Sequence, residues 1–282
     1  MRLLKSMLDA LLYGNILIAL GAASLSGQTQ WLLTGRWHWS PYLGFLFFST
    51  LGLYTTHRLI GLSKSAKTGF HHNRWTTIQR FKPILYVELV LSAIAACYFF
   101  IKIIDLWIWL LAPCALAAAY VLPVLSGSRR LRDVHFVKIF ALTAVWVYLT
   151  VVLPAAELHL TVSLPMLIMC IERLCFIFAI ALTFDLRDID SDRSAGVKTL
   201  PGSWGVSKTK AIAVGSLAIM PLASFFNWRA DAYSLYSLIA LMLSACISAI
   251  LVVGARPAKS DYYFSGLIDG MLLFQSVLVL IV

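Results

Sequence analysis

Four aspartates, Asp185, Asp188, Asp190 and Asp192, fall within the stretch FDLRDIDSDRSAGVKTLP, residues 184–201, of a chain that has only 13 acidic side chains in 282 residues. On a helix advancing about 100° per residue, Asp185, Asp188 and Asp192 lie at about 0°, 300° and 340°, while Asp190 at about 140° points elsewhere. Three carboxylates on one face repel one another, and the dipole at a helix C-terminus opposes them as well. A cation must offset that charge. Hydrated Mg²⁺ suits such a face, because it binds through one or two carboxylates, keeps several waters and takes phosphate oxygens as further ligands. The spacing therefore predicts a metal set of Asp185, Asp188 and Asp192 facing a diphosphate. A second reading of the same residues is a solvated loop in which the acids pair with Arg187, Arg193 and Lys198. Gly196 and Pro201 punctuate the end of the helix.

The elements that must position these acids are membrane-spanning. The chain is 60% hydrophobic and 13% charged, with a mean hydropathy of +0.84, which excludes an ordinary soluble domain. About 20 apolar residues cross a bilayer core of roughly 30 Å. Such stretches recur at 10–27, 40–57, 83–104, 106–125, 136–155, 164–185, 210–227, 233–254 and 263–282. They predict an all-α, multi-pass integral membrane protein of about nine transmembrane helices, a single transmembrane domain over residues 1–282. Basic side chains gather in the even-numbered connections, as in Arg58, Lys64, Lys67, Arg74, Arg80 and Lys82, and again in Arg129, Arg130 and Arg132. Retention of such loops on the cytoplasmic side predicts a cytoplasmic N-terminus and an external C-terminus in a cytoplasmic (inner) membrane. The net charge of +10 is then explained by anionic lipid headgroups and requires no nucleic acid. The first apolar stretch is read as an uncleaved anchor rather than a signal peptide. The five cysteines have no metal-ligand spacing and are read as small packing residues. The longest polar connection is expected over residues 63–82.

The segment DLRDIDSDRSAGVKTLPGSWG resembles the second aspartate motif of the UbiA superfamily of intramembrane prenyltransferases, matching at Asp185, Asp188, Asp192, Gly196, Lys198 and Thr199. The region of Tyr120, Lys138 and Trp146 and the segment YYFSGLIDGMLLFQ resemble the family's fourth-to-fifth and last helices. The resemblance implies a UbiA-like bundle around a central cavity, with Mg²⁺ as cofactor and a polyprenyl diphosphate as substrate. It implies catalytic roles for Asp188, Asp192 and Lys198, and substrate contacts from His57, Arg58, Lys64 and Lys138. The family's first aspartate motif is missing: no Asp or Glu occurs between Asp9 and Glu88, and His57 and Arg58 stand where acid is expected. Those two residues fit contact with phosphate oxygens and equally a headgroup anchor.

Other polar residues receive plainer readings. Glu172 and Arg173 lie about 24 Å along the helix from Asp188, too far for the same chemistry, and are expected to pair with neighbouring helices. Glu88 is weighed as a replacement ligand and set behind an ordinary polar contact. Asn15 and Asp269 are expected to face the bundle interior. His71 and His72 are read as loop residues, and Trp107 and Trp109 as an interfacial belt. Three functions follow: a prenyltransferase with an unidentified acceptor, a non-catalytic isoprenoid-lipid binder or partner subunit of another membrane protein, and an ion-coupled transporter.

Overall fold

A computed structural model describes residues 2–68, 73–124, 130–194 and 196–282, leaving aside the side chains of residues 2–6, 64–68, 73–77 and 132. The helices are α1 (Arg2–Tyr13), α2 (Ile16–Thr34), α3 (Pro41–Thr68), α4 (Asn73–Lys102), α5 (Trp107–Val121), α6 (Val137–Val147), α7 (Leu153–Glu157), α8 (Leu164–Arg187), α9 (Ile189–Ser194), α10 (Leu200–Trp204), α11 (Val206–Arg229), α12 (Leu235–Gly254) and α13 (Asp269–Leu280). Short 3₁₀ turns cover Ile104–Leu106 and Leu131–Asp133, and π-helical turns cover Tyr148–Val152 and Tyr262–Ile268. The described residues contain eight helical spans long and apolar enough to cross a membrane, from Ile16–Thr34 to Tyr262–Leu280. The expected span at 40–57 lies in α3, which is not among the eight. At 28 residues α3 is long enough, but Thr50, Thr55, Thr56, His57 and Arg58 make it more polar.

Two expected boundaries are corrected. The stretch 10–27 is split: α1 ends at Tyr13, Asn15 takes a left-handed conformation (φ 56°), and the span begins at Ile16. Asparagine tolerates that conformation where a β-branched residue would not. The polar connection expected at 63–82 is largely helical, since α3 runs to Thr68 and α4 starts at Asn73 and passes through Pro83. Polar residues extend both helices beyond their apolar stretches, because helix propensity is not confined to apolar side chains. His71 and His72 lie outside the described residues.

Within a bilayer, apolar side chains gain nothing by leaving lipid, so close backbone approach and interhelical hydrogen bonds must hold the bundle. Helix α2 is the central element, with 61% of its span buried against 11% for α4. Its Gly21 packs so tightly on Leu272 of α13 that a Cβ would lie 2.8 Å from the leucine side chain. Thr29 of α2 donates to the Thr150 carbonyl at 2.6 Å. Proline has no N–H, so Pro154 cannot serve the carbonyl four residues before it, and Thr29 does so instead. Tyr42 donates to the Leu149 carbonyl in the same π turn at 2.5 Å. The cysteines are all free, and Cys97, Cys114 and Cys246 are exposed on the outer surface of the bundle rather than packed inside it. Trp107 and Trp109 are likewise exposed.

Candidate functional site

The aspartate stretch does not run as one uninterrupted helix. Helix α8 stops at Arg187 and Asp188 caps it, yet the Asp188 N–H still donates to Phe184 (3.1 Å) and the Asp192 N–H to Asp188 (2.8 Å). Helical register survives the break, so Asp185 and Asp192 share a face. Asp190 is exposed. After α9, Gly196 (φ 69°) turns the chain. Thr199 then caps α10 by accepting from the Gly202 N–H at 3.4 Å, with Pro201 in the first turn.

The cation that meets this face is Lys138. Its Nζ lies 2.7 Å from Asp185 Oδ1 and 3.0 Å from Asp192 Oδ2, and all three residues are buried. Backbone pairing puts it there. The Lys198 N–H donates to His135 Nδ1 at 3.0 Å, and the Phe136 N–H donates to the Lys198 carbonyl at 3.1 Å, fixing the start of α6 against the turn that follows the aspartates. The Lys198 side chain is exposed and does not line the cavity, so what the structure gives this residue is a backbone role. Asp188 is held by its neighbour Arg187 through two bonds of 2.8 and 3.2 Å. Arg187 in turn lies 4.7 Å from the Phe184 ring centre and 5.6 Å from that of Phe264. Sequence reading offered Arg187 only as one partner in a solvated loop; the signal that raises it is the pair of aromatic rings beside it, one of which comes from the distant π turn.

These groups line one wall of a cavity of about 170 Å³ bounded by Tyr54, His57 and Arg58 of α3, Tyr120 of α5, Lys138 and Trp146 of α6, Asp185, Arg187 and Asp188, and Asp269 of α13. An apolar annex of about 120 Å³, lined by Leu53, Leu116, Ala117, Val121, Ala141 and Val145, shares Tyr54, His57, Tyr120, Leu142 and Trp146 with it. A larger hollow of about 460 Å³ around Tyr233 and Asp231 has no basic residue in its lining among the described residues, which makes it a poor anion site. Arg58 reaches the cavity wall but also donates to the Leu12 carbonyl at 3.3 Å and to that of Tyr13, closing the C-terminus of α1. The Lys64 side chain lies outside the described residues. Glu88 accepts from Thr55, whose hydroxyl accepts from Asn15 at 3.1 Å; it ties α3 and α4 to the start of α2 and does not line the cavity. Asp269 does line it.

Among the described residues no three His, Cys, Asp or Glu side chains are grouped as a metal site, and Lys138 lies between Asp185 and Asp192. Asp185 and Asp188 remain on the cavity wall. One or two carboxylates complemented by water and phosphate oxygens satisfy Mg²⁺, so the residues present fit that ion in this reduced form.

No protein-family model matches the sequence, and no curated protein matches it. Solved structures do. A UbiA homolog from Archaeoglobus fulgidus is 11% identical at a TM-score of 0.56, with 96% of this chain and 97% of that one covered. A digeranylgeranylglyceryl phosphate synthase is 12% identical at a TM-score of 0.52, with 100% of this chain and 97% of that one covered. With eight candidate spans and this likeness over its full length, the chain is a multi-pass integral membrane protein that has the UbiA fold.

Proposed function

We propose that this protein binds a polyprenyl diphosphate from the membrane and transfers the prenyl group to an acceptor. The observation that carries the reading is a pair of adjacent cavities: one with a charged wall of Lys138, Arg187, Asp185 and Asp188, and an apolar annex that shares Tyr54, Tyr120 and Trp146 with it. A diphosphate bonded to an isoprenoid chain has that same division. The names of the two structural relatives, a UbiA homolog and a digeranylgeranylglyceryl phosphate synthase, support the same substrate class. The basic connections support a cytoplasmic position for the aspartate end.

In the transfer, the bond between the allylic carbon and the diphosphate oxygen breaks and its electron pair leaves with the diphosphate. The acceptor's nucleophilic atom then bonds to that carbon and gives up a proton. Arg187 and Lys138 hold phosphate oxygens by charge-assisted hydrogen bonds, with His57 and Arg58 across the cavity. Asp188 would hold Mg²⁺, which when bound would supply further neutralisation of the leaving group. Trp146, Tyr54 and Tyr120 offer π faces to the allylic cation and keep water from it.

The second reading is a non-catalytic isoprenoid-lipid binder. It is favoured by one feature: where an opposing acid motif would stand, Arg58 is engaged with the α1 carbonyls. Purified protein in detergent, given geranyl or farnesyl diphosphate with Mg²⁺ or with EDTA, separates the two. Metal-dependent diphosphate release in the presence of a suitable acceptor supports transfer. Binding without release across acceptors supports the binder. No binding of either diphosphate sinks both.

A further inference from the structure

Lys138 occupies the gap between two carboxylates that spacing alone assigns to a metal. Its ammonium bonds to both at 2.7 and 3.0 Å, distances typical of charge-assisted hydrogen bonds. Lys138 is 8% exposed, Asp185 4% and Asp192 7%, so the triad is largely shielded from bulk solvent, with Lys138 and Asp185 bordering the cavity. The lysine is also braced, since the His135–Phe136 segment just before it is bonded to the Lys198 backbone. A tethered cation that cannot diffuse away competes with any dissolved ion for the same oxygens. Asp188 differs: it lines the cavity, and Arg187, which bonds to it at 2.8 and 3.2 Å, lines the cavity as well.

We propose that Lys138 is a resident cation that closes the Asp185–Asp192 pair to metal, so that the site takes a single divalent ion, held at Asp188 together with the ligand's diphosphate. The second half of this statement rests on the diphosphate reading above; the first half does not. Lys138 thus also positions the two aspartates, and the acidic stretch contains one metal-binding position and one pair already bridged by a cation.

The test is a Mn²⁺ titration of the full chain in detergent, read as free Mn²⁺ by electron paramagnetic resonance, with and without inorganic diphosphate. The wild type is expected to take one Mn²⁺ per chain with diphosphate present. Asp188→Asn is expected to weaken that ion about tenfold or more, and Asp192→Asn by less than about twofold. Lys138→Gln is expected to gain a Mn²⁺ that binds without diphosphate and is lost again in Lys138→Gln/Asp192→Asn, while Lys138→Arg behaves as wild type. Equal weakening by Asp188→Asn and Asp192→Asn, or a Lys138→Gln protein that folds and takes no more Mn²⁺ than wild type, overturns the proposal. If Lys138→Gln does not fold, the comparison of the two aspartate variants decides alone. A wild type that binds no diphosphate with any metal instead removes the diphosphate reading, and the diphosphate-free Lys138→Gln arm then decides the role of Lys138.

Discussion

Two groups of buried charge among the described residues are held in different ways. At the aspartate end, Asp185 and Asp192 share Lys138 and Asp188 is paired with Arg187, and the group borders a cavity. In the middle of α8, Glu172 and Arg173 are both fully buried and are bonded to neutral partners. Arg173 Nη2 donates to Gln28 Oε1 at 3.2 Å and Thr29 Oγ1 at 3.5 Å, and Ser224 donates to Glu172 Oε2 at 2.7 Å. Gln28 Oε1 also accepts from Gln275 and Ser276, so this network knits α2, α8, α11 and α13 together. The difference is one of exchangeability. Neutral hydroxyls and amides hold helices in place, each at a modest energy in a membrane; charged partners on a cavity wall can be traded for a charged ligand.

Five variants break or sharpen that contrast. Arg173→Ala should be the most damaging to the fold, costing about 3–5 kcal/mol by leaving Glu172 buried without its neighbouring charge. The double change Glu172→Leu with Arg173→Met should recover much of that, since apolar replacement of buried charge is often neutral; thermal unfolding in detergent reads both. Asp188→Asn should lower Mg²⁺-dependent diphosphate release about a hundredfold with little change in melting. A large melting loss there would erase the distinction between the two regions. Thr29→Val should cost about 1 kcal/mol by orphaning the Thr150 carbonyl, again read by melting, and should leave ligand binding intact. Asp190→Asn, at an exposed position, should alter neither stability nor release, with a stability change within about 0.5 kcal/mol.

Much of this contrast was legible in the sequence, but not the partners. Apolar runs located the spans, and a helical projection separated Asp190 from the other acids because hydrogen-bonded register persists through the break at Asp188. The distance from Glu172 to Asp188 along α8 was enough to assign the two to different work. The identity of the cation was not recoverable that way. Lys138 stands 54 positions from Asp192, and nothing local in either segment indicates that they meet. Resemblance marked Lys138 as a phosphate contact, but gave no sign of its bonds to Asp185 and Asp192. Arg187 was overlooked for a similar reason: an arginine beside an aspartate looks like a surface pair until Phe264 arrives from the π turn. The start of the first span was misjudged because Leu11, Leu12 and Tyr13 are apolar yet belong to α1.

The two hydrogen bonds that join Lys198 to His135 and Phe136 carry a further consequence. One runs between main-chain atoms, and the other uses a ring nitrogen to receive a main-chain N–H; neither depends on what side chain residue 198 bears. The segment thus works as a spacer. Substitution of residue 198 should be absorbed, but inserting or deleting a single residue between the last aspartate and the cap of α10 would slide one side of the seam past the other and pull the lysine out of line with its acids. Loop length here is under tighter constraint than the side chain at position 198.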